Sequence, residues 1–70
     1  MARSYGKIAM SRRVMVNLTS GSAIDGILWD ERAPLLVLRD ANLHGEGGSA
    51  PLDGDVIIER DRIAFVQVVS

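Results

Sequence analysis

TSGSAIDGILWD, Thr19 to Asp30, holds two glycines five positions apart in a run that otherwise alternates like a β-strand. Gly21 lies between two serines and signals a turn. From Ala23 onward the apolar residues alternate. Ile24, Gly26 and Leu28 share one face, and Ala23, Ile27 and Trp29 share the other. A glycine inside a strand costs stability unless the strand bends sharply or another backbone comes close. Gly26 therefore predicts a sharply bent strand of the kind a small barrel needs in order to close.

The flanking sequence extends the pattern. Val14 to Thr19 alternates, with Val14, Val16 and Leu18 on one face. The charged Asp30-Glu31-Arg32 and Pro34 predict a second turn. Leu35 to Asp40 reads as a third strand, and residues 42–54 as a glycine-rich loop ending in an Asp53-Gly54 turn. Val56 to Ile58 is a short fourth strand, Glu59 to Arg62 a tight charged turn, and Ile63 to Val69 a fifth strand rich in β-branched residues. No segment carries a helical stripe. The expected fold class is all-β: a small, five-stranded, strongly bent barrel with no substantial helix. Closure would also remove sheet edges that apolar strands otherwise expose.

Seventy residues make one small domain. A chain of this length buries only about 60% of its unfolded surface, so its core is marginal. Disulfides, a metal or oligomerisation usually compensate. The chain has no cysteine and one histidine, His44, which argues against disulfides and transition-metal sites. No metal and no cofactor are expected. Self-association, or docking into a larger protein assembly, remains. Charge is uneven: residues 1–13 carry +4 through Arg3, Lys7, Arg12 and Arg13, and residues 14–70 carry −5. This divides the chain into a basic N-terminal arm, 1–13, and a single barrel domain, 14–70. The arm either contacts nucleic acid or an acidic neighbour, or is simply solvated. No apolar stretch is long enough to cross a bilayer, and the N-terminus lacks a signal-peptide core. A cytoplasmic site, or a place in a virion made in the cytoplasm, is expected, with no membrane partner.

The run VMVNLTSGSAIDGILWDERAPLLVLRDA, 14 to 41, resembles the first motif of the Sm and Sm-like proteins: an apolar strand to Leu18, then Gly21, Ile24, Gly26, Leu28, an acidic position at Asp30 or Glu31, and Leu36-Val37-Leu38 leading to Asp40-Ala41. VIIERDRIAFVQV, 56 to 68, is similar to the second. The apolar pattern is shared with other small barrels, SH3-like ones included. The departures are definite. Sm proteins usually begin with a helix, and residues 1–13 carry Gly6 and no helical stripe. Pro34 and Leu35 stand near where the family's RNA-contacting turn has an asparagine. Glu59 and Arg60 stand where its second motif has Arg-Gly. The resemblance implies rings of six or seven copies, joined by pairing strand four of one subunit with strand five of the next. The joining residues here would be Val56, Ile57, Ile58, Phe65, Val66 and Val68. The alternative is that both are ordinary core strands of a monomer.

For RNA, Trp29 is a candidate stacking platform beside Arg32, with Arg60 and Arg62 available to phosphate. Asp30, Glu31, Glu59 and Asp61 alternate with these arginines and cancel their field. For catalysis, His44 has Glu46, Asp53 and Asp55 in the same loop but no nucleophile motif, so no enzyme is expected. Asp53-Gly54-Asp55 reads as a turn rather than a cation site, and Gly45-Glu46-Gly47-Gly48 lacks the lysine of a phosphate loop. Two functions follow. One is a non-enzymatic structural module that self-associates or joins a larger complex such as a virion. The other is an Sm-like ring on single-stranded RNA.

Overall fold

Val14 and Val16, Leu28, and Leu36 and Leu38 come from three strands and are fully buried against one another. Each such side chain contributes about 1.5–3 kcal/mol when taken out of water. Ala9, Ile24, Ala41 and Ile58 complete the core. A computed structural model describes residues 5–70. Its elements are a helical turn α1 (Gly6–Ala9) and strands β1 (Arg13–Leu18), β2 (Ala23–Arg32), β3 (Leu35–Gly45), β4 (Gly48–Leu52), β5 (Val56–Glu59) and β6 (Ile63–Val68). A 3-10 turn, Arg60–Arg62, joins the last two strands. The sheet is antiparallel in the order β4-β3-β2-β1-β6, and β5 also pairs with β3.

The bend falls where the glycine predicts it. The β2–β3 register shifts between Asp25 and Ile27, on either side of Gly26. A Cβ on Gly26 would lie 3.1 Å from the Arg39 carbonyl oxygen and 3.1 Å from the Ala41 Cβ. Gly26 thus serves both the bend and a close backbone approach. Gly21 has φ +97° and closes the β1–β2 turn, where its N–H donates to the Leu18 carbonyl.

Four expectations need correction. There are six strands, not five, because the expected loop 42–54 is largely strand. β3 runs on to Gly45 and folds back as β4, with His44 opposite Ser49 and Gly45 opposite Gly48. Long β3 offers one edge to two strands: Leu35–Leu38 pair with β5 and Ala41–Gly45 with β4. Second, β2 continues through Arg32, so Asp30-Glu31-Arg32 are strand and only Ala33-Pro34 turn. Third, the N-terminal stretch is not a free arm: Gly6–Ala9 form one helical turn, within the expectation of no substantial helix. Ala9 is buried, and Ser11 and Arg12 exchange backbone hydrogen bonds with Leu28. The stretch expected as an arm is therefore packed on the barrel from Tyr5 onward. Arg3 lies outside the described residues. Fourth, the barrel leaves edges open: among the described residues, β4 and β5 each pair only with β3, and β6 only with β1.

Candidate functional site

The β5 and β6 edges are apolar. On β5, Ile57 is 62% exposed, and on β6 Phe65 is 56% exposed, with Val68 and Val69 also outward. Ile58 is in the core, because it alternates with Ile57 and faces Leu36 across the ladder. Val56 and Val66 are partly buried against the same core. Of the six residues expected at a joint, Ile57, Phe65 and Val68 therefore present side chains outward. Beside β5 runs an open groove of about 270 Å³, floored by Leu18, Ile24, Val56 and Ile58, with Glu59 and Arg62 at its margin.

The two turns meet at one end of the molecule. The Arg60 N–H donates to the Pro34 carbonyl at 2.8 Å, and the Thr19 N–H donates to that of Arg62 at 2.8 Å. Glu31, at the end of β2, accepts from the Tyr5 and Gly6 N–H groups at 3.0 and 2.9 Å, which caps α1 from a distance. The Arg60 guanidinium lies over the Tyr5 ring, 5.2 Å from its centre. The Arg32 guanidinium is exposed and meets Asp30 at 3.3 Å. Arg62 is exposed too.

No family model and no curated protein matches the chain. Solved structures do. The P. aerophilum SmAP1 heptamer subunit aligns at TM-score 0.82 with 22% identity, covering 100% of this chain and 99% of that one. The Pyrococcus abyssii Sm protein, crystallised with a uridine heptamer, aligns at TM-score 0.82 with 22% identity, over 97% and 100%. The fold is Sm-like. A chain of the NatC complex bound to CoA aligns almost as well, at TM-score 0.81 and 18% identity, over 99% and 90%.

On this Sm-like frame the four RNA candidates separate. Arg60 and Arg62 belong to the 3-10 turn, and Arg32 ends β2 next to the Ala33-Pro34 turn that it meets. Trp29 lies apart: it sits in β2 at a second register shift, between Leu28 and Asp30, with the Arg39 guanidinium 3.9 Å from its ring centre. Among the arm residues, Lys7 is exposed, and Arg12 donates to the Ser70 carbonyl at 2.9 Å. Arg13 is half-buried and held within the chain, by Asp25 at 2.7 Å and Asp40 at 2.8 Å.

Alternation alone misses Asp25. Its residue is 9% exposed, yet it lies beneath polar side chains rather than in the apolar core. Arg13 donates to one carboxylate oxygen, and His44 Nε2 lies 2.6 Å from the other. Burial pushes the carboxyl up. Hydrogen bonds from His44, Arg13 and Asn42 outweigh it and hold the group below the ordinary carboxylate range. His44, weighed as a catalytic candidate, thus has a structural partner, and Asp55 bonds Arg39 at 2.9 Å. Among the described residues no cluster of three His, Asp or Glu is arranged to hold a metal ion, and no helix is long and apolar enough to cross a membrane.

Proposed function

We propose that the chain is a non-enzymatic assembly module that joins copies of itself edge to edge, β5 of one copy against β6 of the next. The observation that carries this reading is that the open edges of β5 and β6 each bear a large exposed apolar residue, Ile57 on one and Phe65 on the other. Unpaired apolar edges are normally blunted by charge, proline or a covering loop. Here they are left bare, and main-chain pairing between them would satisfy both. The groove beside β5 gives an apolar seat next to that joint. The heptamer among the similar structures supports closure into a ring.

Native mass tests this. Light scattering on the wild type should return a defined multiple of the chain mass. Ile57→Asp with Phe65→Asp should reduce it to the monomer while far-UV circular dichroism stays native. A wild-type monomer at high concentration, or a double variant of unchanged mass, would refute the joint.

A second reading, single-stranded RNA held at the turn cluster, is favoured by the contact between the two turns and by the uridine heptamer in one similar structure. Against it stand the missing asparagine and Arg-Gly and the acidic residues that interleave the arginines. None of the structures compared above is described as viral, and a virion setting forms no part of the proposal.

A further inference from the structure

We propose that the joint between copies is oriented by a charge pair, Asp53 of one copy against Arg12 of the next. The pair rests on the edge-to-edge reading above and adds to it a register and a partner for each charge. Three observations carry it. First, charge is sorted along the chain. Residues 40–59, which run through the β3–β4 hairpin to the end of β5, hold Asp40, Glu46, Asp53, Asp55 and Glu59 and no lysine or arginine. Residues 1–13 hold only bases. The last of these lie beside the end of β6: Arg12 Nε donates to the Ser70 carbonyl at 2.9 Å, and the Val69 N–H donates to the Arg13 carbonyl at 2.9 Å. A joint of β5 on β6 therefore sets an acidic margin against a basic one, which steers encounter and disfavours joining like edges.

Second, the faces of the two edges fit one register. Ile57 and Phe65 are exposed, while Val56 and Val66 both pack against the core. Antiparallel pairing of Ile57 with Phe65 sets Val56 opposite Val66, so inner residues meet inner and outer meet outer. Each step back along β5 is then a step forward along β6. Continued through Gly54, this brings Asp53 level with Val69, where Arg12 lies. Third, both charges are available. Asp53 is exposed and has no hydrogen-bond or ion-pair partner among the described residues. The neighbouring acid, Asp55, is already held by Arg39 at 2.9 Å. Arg12 is exposed, spends only its Nε on Ser70, and meets no acid among the described residues. Its two terminal nitrogens suit a carboxylate from outside the chain.

Sedimentation of the full chain across a dilution series at low salt reads the pair. Arg12→Asp and Asp53→Arg should each raise the concentration at which the assembly half-dissociates by about fivefold, as expected when an exposed ion pair becomes two like charges. The penalty should fade at about 0.5 M salt, where such charges are screened. The double variant restores opposite charges and should return to within about twofold of wild type. An equimolar mixture of the two single variants should also recover, because opposite charges meet wherever unlike chains join. A pairing inside one chain gives no such rescue. Glu46→Arg makes the same change in net charge at the β3–β4 hairpin and should leave the midpoint in place. Single variants that match Glu46→Arg, or a double variant that assembles no better than the singles, would overturn the pair and leave the strand joint standing. A wild-type chain that stays monomeric at high concentration would overturn the strand joint, and the pair with it.

Discussion

Gly26 shows how one missing methyl fixes the curvature of the sheet. A Cβ there would press on the Arg39 carbonyl and on Ala41, and neither is the far end of a flexible side chain. Gly26→Val should destabilise by about 2 kcal/mol or more, lowering Tm by roughly 10 °C in a domain of this size. A melt at fixed protein concentration checks it, and a Tm within a degree of wild type would remove the close-approach argument. Asp25 works by charge. Its carboxyl is held below its unfolded value, so its contribution is complete above about pH 4 and is lost as pH falls through the folded pKa. Asp25→Asn leaves the Arg13 guanidinium short of one ionic partner and should cost about 2 kcal/mol at neutral pH. The two Tm-versus-pH curves should converge in acid. Parallel curves would show that the charge of Asp25 is irrelevant.

At the scale of elements, α1 depends on a distant cap. Two of its first N–H groups end on Glu31, twenty-five and twenty-six residues away. Glu31→Ala should speed hydrogen exchange at Tyr5 and Gly6 by about tenfold while β1 and β2 amides keep their protection, at a cost near 1 kcal/mol. Equal loss of protection across the sheet would mean that Glu31 supports the whole barrel. Strands β1 and β2 were legible in the sequence because their apolar alternation matches the faces they bury, and β5 and β6 because they are short apolar, β-branched runs bounded by turn residues. The β3–β4 hairpin was not. Gly45, Gly47, Gly48 and Pro51 carry weak strand propensity, and the pairing is imposed by the long β3 rather than chosen locally. The α1 turn is too short for periodicity to register. The candidate site was half legible. Alternation found Ile57 and Phe65 but placed Ile58 beside them, since it cannot say which face of a two-sided apolar strand meets the core. The burial of Asp25 depends on long side chains from β1 and β3 arching over it, which no local pattern encodes.

For the whole molecule, size and topology point the same way. A small core whose β5 and β6 edges are bare and apolar gains stability when those edges pair. On the assembly reading, the wild-type Tm should therefore rise with protein concentration. The Ile57→Asp, Phe65→Asp chain should melt at one temperature across a hundredfold range of concentration. A wild-type Tm that ignores concentration would speak for a self-sufficient monomer. The edges also differ from each other: β5 is four residues with a groove beside it, and β6 is six residues led by Phe65. A joint between unlike edges is head-to-tail, and every copy needs both halves intact. A copy spoiled on β6 alone keeps a working β5 and would still be recruited, yet it could not pass the chain of contacts onward. Mixed with wild type it would act as a terminator, so a minority of such copies would break most rings, and the defect would be dominant rather than recessive.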